Sequence, residues 1–529
     1  MKNNAKAKFN ICVADPLHEK GWEILKQAED ITICGPYGCR DDLKNVLADA
    51  EGLLICSDTS VDADLLESAP RLKAVARAGS RLDNVDITEA TRRGIFVIHV
   101  PEANVLAVVE YAFLLMLILA RKFSPEAKGV QCGIGDLGFE LAGKTLGIIG
   151  FGRQGREMAS RAQMFAMHVM AYDPYIDLSF ARERGVEIVD LPELLGRADI
   201  ISLHTDYTNQ THHMMNRSSF SQMKQNAILI NCVHTALIDQ EALIEALDSG
   251  KLAGAAVDAL TDGETPNPVS EHPQVLCTPN MAQATIEAQS NTAVDVVSDL
   301  LDSLRGKDYR NVVNLPFSKT SPYQVVKPYI DLAVRLGKLQ GQLAEGWIRR
   351  VEVELVGEGL QGLVRPVAAV LLSGMIKAVD ERPVNWVSAP VMAYEQGIIT
   401  SQAKDLVDNR EYPSLIACRI FWDGGNRTVA GALFGNGEVR LVAYDHYEVD
   451  AYPNGYVLIL ENDDVPGVIG KVGTLLSQEK VNIAQWRYGR EFIYGKGVSF
   501  INVDQNIPRK VLEEIKREPE IKQVRLVRL

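Results

Sequence analysis

Apolar residues occur in short runs separated by amphipathic stretches from the beginning of the chain. The runs at 9–14, 31–34, 52–56, 72–77 and 95–100 have the length of strands. Between them, 18–28, 40–48, 62–68 and 86–93 repeat apolar positions at helical spacing. A parallel strand buried on both faces reads as a continuous apolar run, and a helix covering it shows one apolar stripe. The alternation predicts βαβ units and a parallel sheet covered on both sides. Val105 to Ala120 is the most apolar helical stretch. It is short for a bilayer span and carries Glu110 midway, which predicts a buried or subunit-interface helix.

A second series of strands follows at 145–149, 168–172, 186–189, 199–203, 227–231, 253–257 and 275–277. A helix over 287–305, with Ala288, Val294, Val297, Leu300, Leu301 and Leu304 apolar, returns the chain to the first domain. Pro316 to Pro322 reads as a linker. The region 323–452 combines a long helix at 327–345 with β-rich segments. From Gly455 the order is strand 456–461, helix 468–477, strands 481–490 and 496–504, helix 508–517 and strand 522–528, a βαββαβ ferredoxin-like unit. The fold class is α/β: two Rossmann-like, doubly wound parallel-sheet domains, then an α+β domain and a ferredoxin-like C-terminal domain. The expected domains are 1–99 with 285–316, 100–284, 317–452 and 453–529.

Bulk composition narrows the function. A net charge of −14 argues against nucleic acid as the main partner. The chain opens M-K-N-N-A-K-A-K and passes directly into a strand, with no secretory signal. Its cysteines (12, 34, 39, 56, 132, 232, 277 and 418) are scattered, mostly in apolar strands. That is how reduced, buried thiols are used, and it predicts a cytoplasmic protein with no membrane partner. No Cys or His spacing matches a metal site, and His212-His213 reads as part of a solvated loop.

The strongest chemical signal is T-L-G-I-I-G-F-G-R-Q-G at 145–155. A strand runs into Gly150, Gly152 and Gly155, followed by a helix-compatible stretch from Arg156 to Phe165 and a second strand ending at Asp173. The three glycines suit a tight turn, backbone approach to a pyrophosphate and close helix–strand packing, in that order. A helix N-terminus then faces the phosphates, and Asp173 can accept from a ribose hydroxyl. A carboxylate at 173 would repel a 2′-phosphate, so the expected cofactor is NAD rather than NADP.

Several further motifs give the whole chain a resemblance to the D-3-phosphoglycerate dehydrogenase family, in its long form with an allosteric substrate-binding domain and a C-terminal ACT domain. They are R-A-G-S-R-L-D-N-V-D (77–86), A-Y-D-P (171–174), L-H-T (203–205), I-N-C (230–232), A-G-A-A-V-D (253–258) and C-T-P (277–279). N-W-V-S-A-P (385–390) and G-A-L-F-G (431–435) resemble the allosteric domain; N-D-D-V-P-G-V-I-G-K-V-G (462–473) and V-N-I-A (481–484) resemble an amino-acid-binding ACT module. The resemblance implies NAD contacts at Gly150, Gly152, Arg153, Gln154, Gly155, Asp173, Thr205, Cys232 and Asp258. It implies a substrate pocket for a small acidic metabolite at Cys56, Arg77, Ser80, Arg81 and Asn104. It also implies a regulatory amino-acid site at Asn462, Asp464 and Asn482. Dimers or tetramers are implied, through the 105–120 helix and the ACT edges.

The chain departs from that family where the chemistry belongs. Family members hold the substrate with an Arg in N-C-A-R-G-G, take its proton with a His in T-P-H-L-G and orient that His with a Glu. Here His234 stands at the Arg position and Asn280 at the His position. Gly263 stands at the Glu position, with Glu264 the substitute if the loop shifts by one residue. A neutral imidazole is a poor replacement for a bidentate cation, and an amide cannot shuttle a proton near neutral pH. Cys56 replaces the Arg of V-R-S-x-T, Q-C-G-I-G-D (131–136) lacks a cation, and Arg81 replaces a Gly. Arg81 is expected either to anchor an anion or to pair with a neighbouring acid. Asp206 replaces a Pro beside the adenine pocket. Three readings follow: a pseudoenzyme that senses NAD(H) or metabolites, alone or assembled with an active relative; a dehydrogenase redirected to another 2-hydroxy acid; or an active phosphoglycerate dehydrogenase with relocated groups.

Overall fold

The computed structural model describes residues 9–35, 40–123, 137–176, 181, 184–258, 268–316, 323–357, 360, 362–379, 384–408, 412–435 and 437–529. The 131–136 segment, Cys39, Cys132, Gly263, Glu264 and most of the 316–322 linker lie outside the described residues.

The first sheet contains β1 (Phe9–Val13), β2 (Ile31–Cys34), β3 (Gly52–Ile55), β4 (Ala74–Arg77) and β5 (Phe96–His99), all parallel in the order β2-β1-β3-β4-β5. Successive residues of a strand face opposite sides, so two cores form. Ile11, Val13, Leu54 and Ala76 pack with Leu25, Val297 and Leu300 of helices Glu19–Gln27 and Ile286–Leu304. Cys12, Leu53, Ile55 and Val75 pack on the other face with Leu43, Leu47 and Leu65.

The second sheet contains β6 (Thr145–Ile149), β7 (His168–Tyr172), β8 (Glu187–Ile188), β9 (Ile200–Leu203), β10 (Ala227–Asn231), β11 (Leu252–Asp258) and β12 (Val275–Thr278). It is parallel, in the order β12-β11-β10-β9-β6-β7-β8. The helix after β6 begins at Arg153, not Arg156, and ends at Met164. Nothing in Arg153-Gln154 opposes helical φ, so the helix starts as soon as the glycine turn ends. The Val105–Ala120 helix buries Val109, Ala112, Phe113 and Met116 against this sheet and leaves Leu106 and Leu114 half exposed. Between the two sheet domains the chain passes through 100–104 and again near 282–285. Asn104 Nδ2 donates to Gln283 Oε1 (3.1 Å), joining the two passages.

The third region holds more helix than the periodicity indicates. Tyr323–Leu343 packs against a second long helix, Val364–Val379, and a third follows at Ala389–Glu395. Val364–Val379 is apolar almost all round, so it shows no single face from which a helix could be recognised. These helices cover a six-stranded mixed sheet. Asn385 Nδ2 donates to Gly94 O (2.6 Å) and Trp386 meets Tyr309 edge-on (4.8 Å), docking the region on the first domain.

The C-terminal sheet is antiparallel in the order Ile483–Arg490, Lys496–Val503, Tyr456–Asp463, Ile521–Arg528. Its two helices cover one face. Val457, Ile459, Val498 and Phe500 on the other face join the core of the third region.

Candidate functional site: a cofactor crevice beside an altered acid site

In an open α/β sheet, ligands bind beyond the C-terminal strand ends, where the strand order reverses. In the second sheet that point lies between β6 and β9. The residues assigned to the cofactor come from the C-terminal ends of β6, β7, β9, β10 and β11. Gly150 ends β6 with φ of 93°, and a Cβ there would lie 2.5 Å from the His204 carbonyl oxygen. At Gly155 a Cβ would lie 2.2 Å from the Gly150 carbonyl oxygen, so this glycine seats the helix on the turn. At Gly152 a Cβ would meet nothing within 4 Å. Gly152 also caps the Arg153–Met164 helix without a side-chain hydrogen bond. The unclaimed N–H groups of the first turn therefore adjoin open space, which fits a pyrophosphate.

Asp173 ends β7. Its carboxylate accepts from Phe151 N and Tyr175 N (2.9 Å each), tying the glycine turn to β7 with lone pairs left for a ribose hydroxyl. Half-buried Gln154 and exposed Arg153 open the helix, and Arg153 forms an ion pair with Glu102. Thr205 follows β9. Its neighbour His204 is buried, with Nε2 2.8 Å from Ser202 Oγ, and burial pushes its pKa down to about 4. Cys232 follows β10, where burial pushes its thiol up and keeps it inert.

Asp258 is 2% exposed, and its bonds account for the turn that follows β12. It accepts from Thr278 Oγ1, Met281 N and Ala282 N, each at 2.7 Å. The turn carries Asn280, exposed, with φ of 52°. Asn tolerates left-handed backbone better than most residues. His234 caps a short turn of 3₁₀ helix: its Nδ1 accepts from Ala236 N (3.1 Å), which places the proton of the neutral ring on Nε2. The Tyr207 ring lies flat on it, centroids 4.6 Å apart at 9°.

On the acid side, buried Asp15 follows β1 and accepts from Cys56 N, Thr59 N and Thr59 Oγ1. Asn84 Nδ2 donates to Cys56 O (2.9 Å) and Thr59 O (2.7 Å), completing a rigid turn after β3. Cys56 Sγ donates to Pro16 O (3.3 Å), and burial, reinforced by the Asp15 charge, raises the thiol to about 11. Arg77 ends β4 and is 6% exposed; its Nε has no hydrogen-bond partner, and burial holds its pKa below the ordinary value. Ser80 O lies 2.8 Å from His99 Nδ1. Arg81 forms an ion pair with Asp83. Burial opposes ionisation of Asp83, but the Arg81 contact outweighs it and holds the carboxyl below its usual range. Asn104 is buried with Oδ1 unpartnered.

The expected regulatory residues do not converge within one chain. Tyr488 OH donates to Asp464 Oδ1 (3.1 Å) and accepts from Asn462 Nδ2 (3.4 Å), joining those two. Asn482 lies at the far end of the Ile483–Arg490 strand, roughly 25 Å away by strand rise, and donates to Asp504 (2.6 Å). Among the described residues no group of three or more His, Cys, Asp or Glu side chains comes together as metal ligands. None of the described helices is long and apolar enough to cross a membrane.

Comparison with known proteins decides the family. Residues 113–282 match the model of the D-isomer specific 2-hydroxyacid dehydrogenase NAD binding domain. Residues 325–445 match that of the D-3-phosphoglycerate dehydrogenase intervening domain. D-3-phosphoglycerate dehydrogenase of Methanocaldococcus jannaschii is 35% identical over 526 residues, covering 98% of this chain and 99% of the relative. The Bacillus subtilis protein of the same name is 32% identical, covering 98% and 100%. The chain belongs to the D-3-phosphoglycerate dehydrogenase family. Among solved structures, the TT0316 protein of Thermus thermophilus superposes with a TM-score of 0.52 at 30% identity, covering 58% of this chain and all of that one. The apo-structure of Escherichia coli D-lactate dehydrogenase gives 0.50 at 28% identity, covering 57% and 99%. The cofactor of this D-3-phosphoglycerate dehydrogenase relative is NAD.

Four residues of the site escape a reading by family motif. Tyr207 stacks on His234, Glu102 pairs with Arg153, Gln283 joins Asn104, and Tyr488 joins Asn462 to Asp464. Each gains its role from a partner distant in sequence. Only Tyr207, an aromatic two residues past Thr205, carries a local signal.

Proposed function

We propose that this member of the D-3-phosphoglycerate dehydrogenase family binds NAD(H) and a small acid but no longer transfers hydride at a useful rate, acting as a metabolite-sensing pseudoenzyme linked to serine metabolism. One observation carries the reading. Asp258, the cofactor-side carboxylate that ends β11, holds the turn carrying Asn280, an exposed amide in left-handed backbone, at the position where the family resemblance implies a proton acceptor. Loss of a general base alone lowers a rate roughly 10²–10⁴-fold. NAD, when bound, supplies the hydride acceptor. The chain's own groups bind and orient: the Gly152 turn takes the pyrophosphate, Asp173 a ribose hydroxyl, and Asp258 holds the 278–282 turn in place.

The half-exposed Leu106 and Leu114, with exposed Met164 and Phe165 nearby in the fold, form the surface we assign to contact with a second copy or an active relative. An amino acid at the Asn462–Asp464 pair and a cytoplasmic location complete the reading. A second reading, a dehydrogenase redirected to another 2-hydroxy acid, is favoured by Arg77, whose buried unpartnered Nε suits a carboxylate.

The test is an NADH titration followed by NAD⁺ reduction with 3-phosphoglycerate at mildly alkaline pH. Saturable NADH binding without turnover is the expected result. Turnover near the enzyme median of about 10 s⁻¹ overturns it in favour of an active dehydrogenase with relocated groups. Turnover on a different 2-hydroxy acid selects the redirected enzyme.

A further inference from the structure

The chain runs from β1 outward to β2 and then returns to β3 on the other side of β1, which leaves β2 at the edge of the first sheet. β1 and β2 are parallel and pair residue by residue: Phe9 with Ile31, Asn10 with Thr32, Ile11 with Ile33 and Cys12 with Cys34. Side chains at paired positions of a ladder point to the same face. Cys12 and Cys34 therefore stand side by side on the face covered by Leu43, Leu47 and Leu65, Cys12 inside that core and Cys34 packed at its margin. Among the described residues no other two cysteines are register partners. Neither belongs to the cofactor crevice or the acid site.

Both are free thiols, and they touch: Cys12 makes a side-chain hydrogen bond with Cys34, whose Sγ in turn donates to Ile11 O (3.5 Å). Neighbouring strands run about 4.7–4.9 Å apart, and a disulfide spans Cα atoms about 4.4–6.8 Å apart. The two sulfurs can thus be joined by side-chain rotation with the ladder intact. They differ in access. Cys12 is fully buried; burial first, then the charge of Cys34, pushes its thiol up to about 12. Cys34 ends the edge strand and is only half-buried. An oxidant reaches Cys34 first and finds Cys12 behind it.

We infer that Cys12 and Cys34 form a reversible disulfide when the protein meets a hydroperoxide, Cys34 being the attacking thiol and Cys12 the resolving one. The Cys34 thiolate attacks a peroxide oxygen; the O–O bond breaks, leaving a sulfenic acid on Cys34 and a hydroxide that takes up a proton. A sulfenic acid is neutral, so the Cys34 charge that opposes ionisation of Cys12 is gone. Cys12 then loses its proton and attacks the Cys34 sulfur. The S–O bond breaks, the S–S bond forms, and hydroxide leaves as water with that proton. In total two thiols give up two protons and two electrons, and one hydrogen peroxide becomes two waters. The bond fastens an edge strand that has a single neighbour, three residues before Asp15, whose carboxylate holds the 56–59 turn. A disulfide that opens and closes is the kind a reducing compartment permits.

The test exposes the full-length protein to excess hydrogen peroxide, blocks the remaining thiols with N-ethylmaleimide and maps the peptides by tandem mass spectrometry, with and without dithiothreitol. A linked pair of peptides carrying Cys12 and Cys34, two hydrogens lighter than their sum and opened by dithiothreitol, is expected. Fragment ions separate Cys34 from Cys39, which shares its tryptic peptide. In Cys12→Ala the linked pair disappears and the Cys34 sulfenic acid, left unresolved, is trapped by dimedone severalfold more than in the unaltered protein. Cys34→Ser, at the half-buried position, serves where the core variant fails to fold: Cys12 is expected to stay reduced through the same treatment. Both thiols still reduced after peroxide, Cys34 linked to another cysteine, Cys34 carried to sulfinic acid beside a reduced Cys12, or Cys12 oxidised as readily in Cys34→Ser each overturn the inference. Hydrogen exchange reads the consequence: amides of 31–34 are expected to exchange more slowly in the oxidised form, and equal rates overturn the fastening of β2.

Discussion

The two parallel-sheet domains share an architecture and differ in what their switch points present. In the second domain the crevice is built of backbone: Gly150 and Gly155 bring main chain against main chain, and Gly152 opens helical N–H groups to a phosphate. In the first domain the equivalent crevice is built of side chains from β1, β3, β4 and a helix that returns after the whole second domain. A backbone site is hard to alter piecemeal, because its glycines are also structural. A side-chain site can lose a cation or a base while the sheet beneath it stays intact. The cofactor crevice and the acid site of this chain differ along that line.

The comparison is broken most decisively by turnover. With Asn at 280 and His at 234, oxidation of 3-phosphoglycerate is expected to run roughly 10²–10⁴-fold below that of an enzyme with a general base, measured as steady-state NADH formation. His234→Arg, Asn280→His and Gly263→Glu together are expected to recover at least about 10²-fold of it. No gain would show that those three changes are not by themselves what limits turnover.

Stability against pH separates the two domains next. His204 in the second domain has its pKa lowered to about 4 by burial, so the unfolded chain binds its proton more tightly. Its effect is to make stability fall as pH drops from about 6.5 to 4, by up to roughly 3 kcal/mol. Asp299 in the first domain has its pKa raised to about 6, chiefly by burial, so its native form holds the proton. Stability from that group is lost as pH rises from about 4 to 6, by up to roughly 2–3 kcal/mol. Calorimetry at pH 4.5 and 7 should show His204→Gln raising the acid-side stability of the second domain. Asp299→Asn should raise the neutral-side stability of the first. The same slope in both variants would contradict this assignment.

The glycines sharpen the contrast at a smaller scale. Gly155→Ala must displace the Gly150 carbonyl, costing about 1–3 kcal/mol of stability by overpacking. Gly152→Ala has room, so its melting temperature should stay within a degree or two of the unaltered protein while NADH affinity falls. Loss of stability at 152 instead would remove the distinction between packing and approach. The smallest effect expected is at Glu102, which pairs with Arg153 at the phosphate turn. An exposed pair contributes about 0.2–1 kcal/mol, so Glu102→Gln should change NADH affinity up to about fivefold at low salt, upward if the pair competes with the cofactor. The change should vanish at high salt.

Most of the architecture is legible in the sequence because strands buried on both faces and helices buried on one carry different periods. The Val364–Val379 helix escapes because burial on all sides erases its period. The glycine turn and Asp173 are legible because they are close in sequence, within 145–173, whereas Thr205, Cys232 and Asp258 reach the same strand ends from β9, β10 and β11 and are named only through the family resemblance. The acid site is only half legible. Cys56, Arg77 and Asn104 can be placed by motif, but Tyr207 against His234 and Gln283 against Asn104 are pairs that nothing local connects. Asn482 resembles a ligand residue in sequence yet sits at the opposite end of a strand from Asn462.

The left-handed turn at Asn280 bears on heredity as well as chemistry. Histidine is among the residues that tolerate this backbone conformation, so its return at 280 meets no folding obstacle. Asparagine and histidine codons differ at their first base, and histidine and arginine codons at their second. Point mutation therefore keeps presenting the family's residues at 280 and 234 to every lineage that carries this gene.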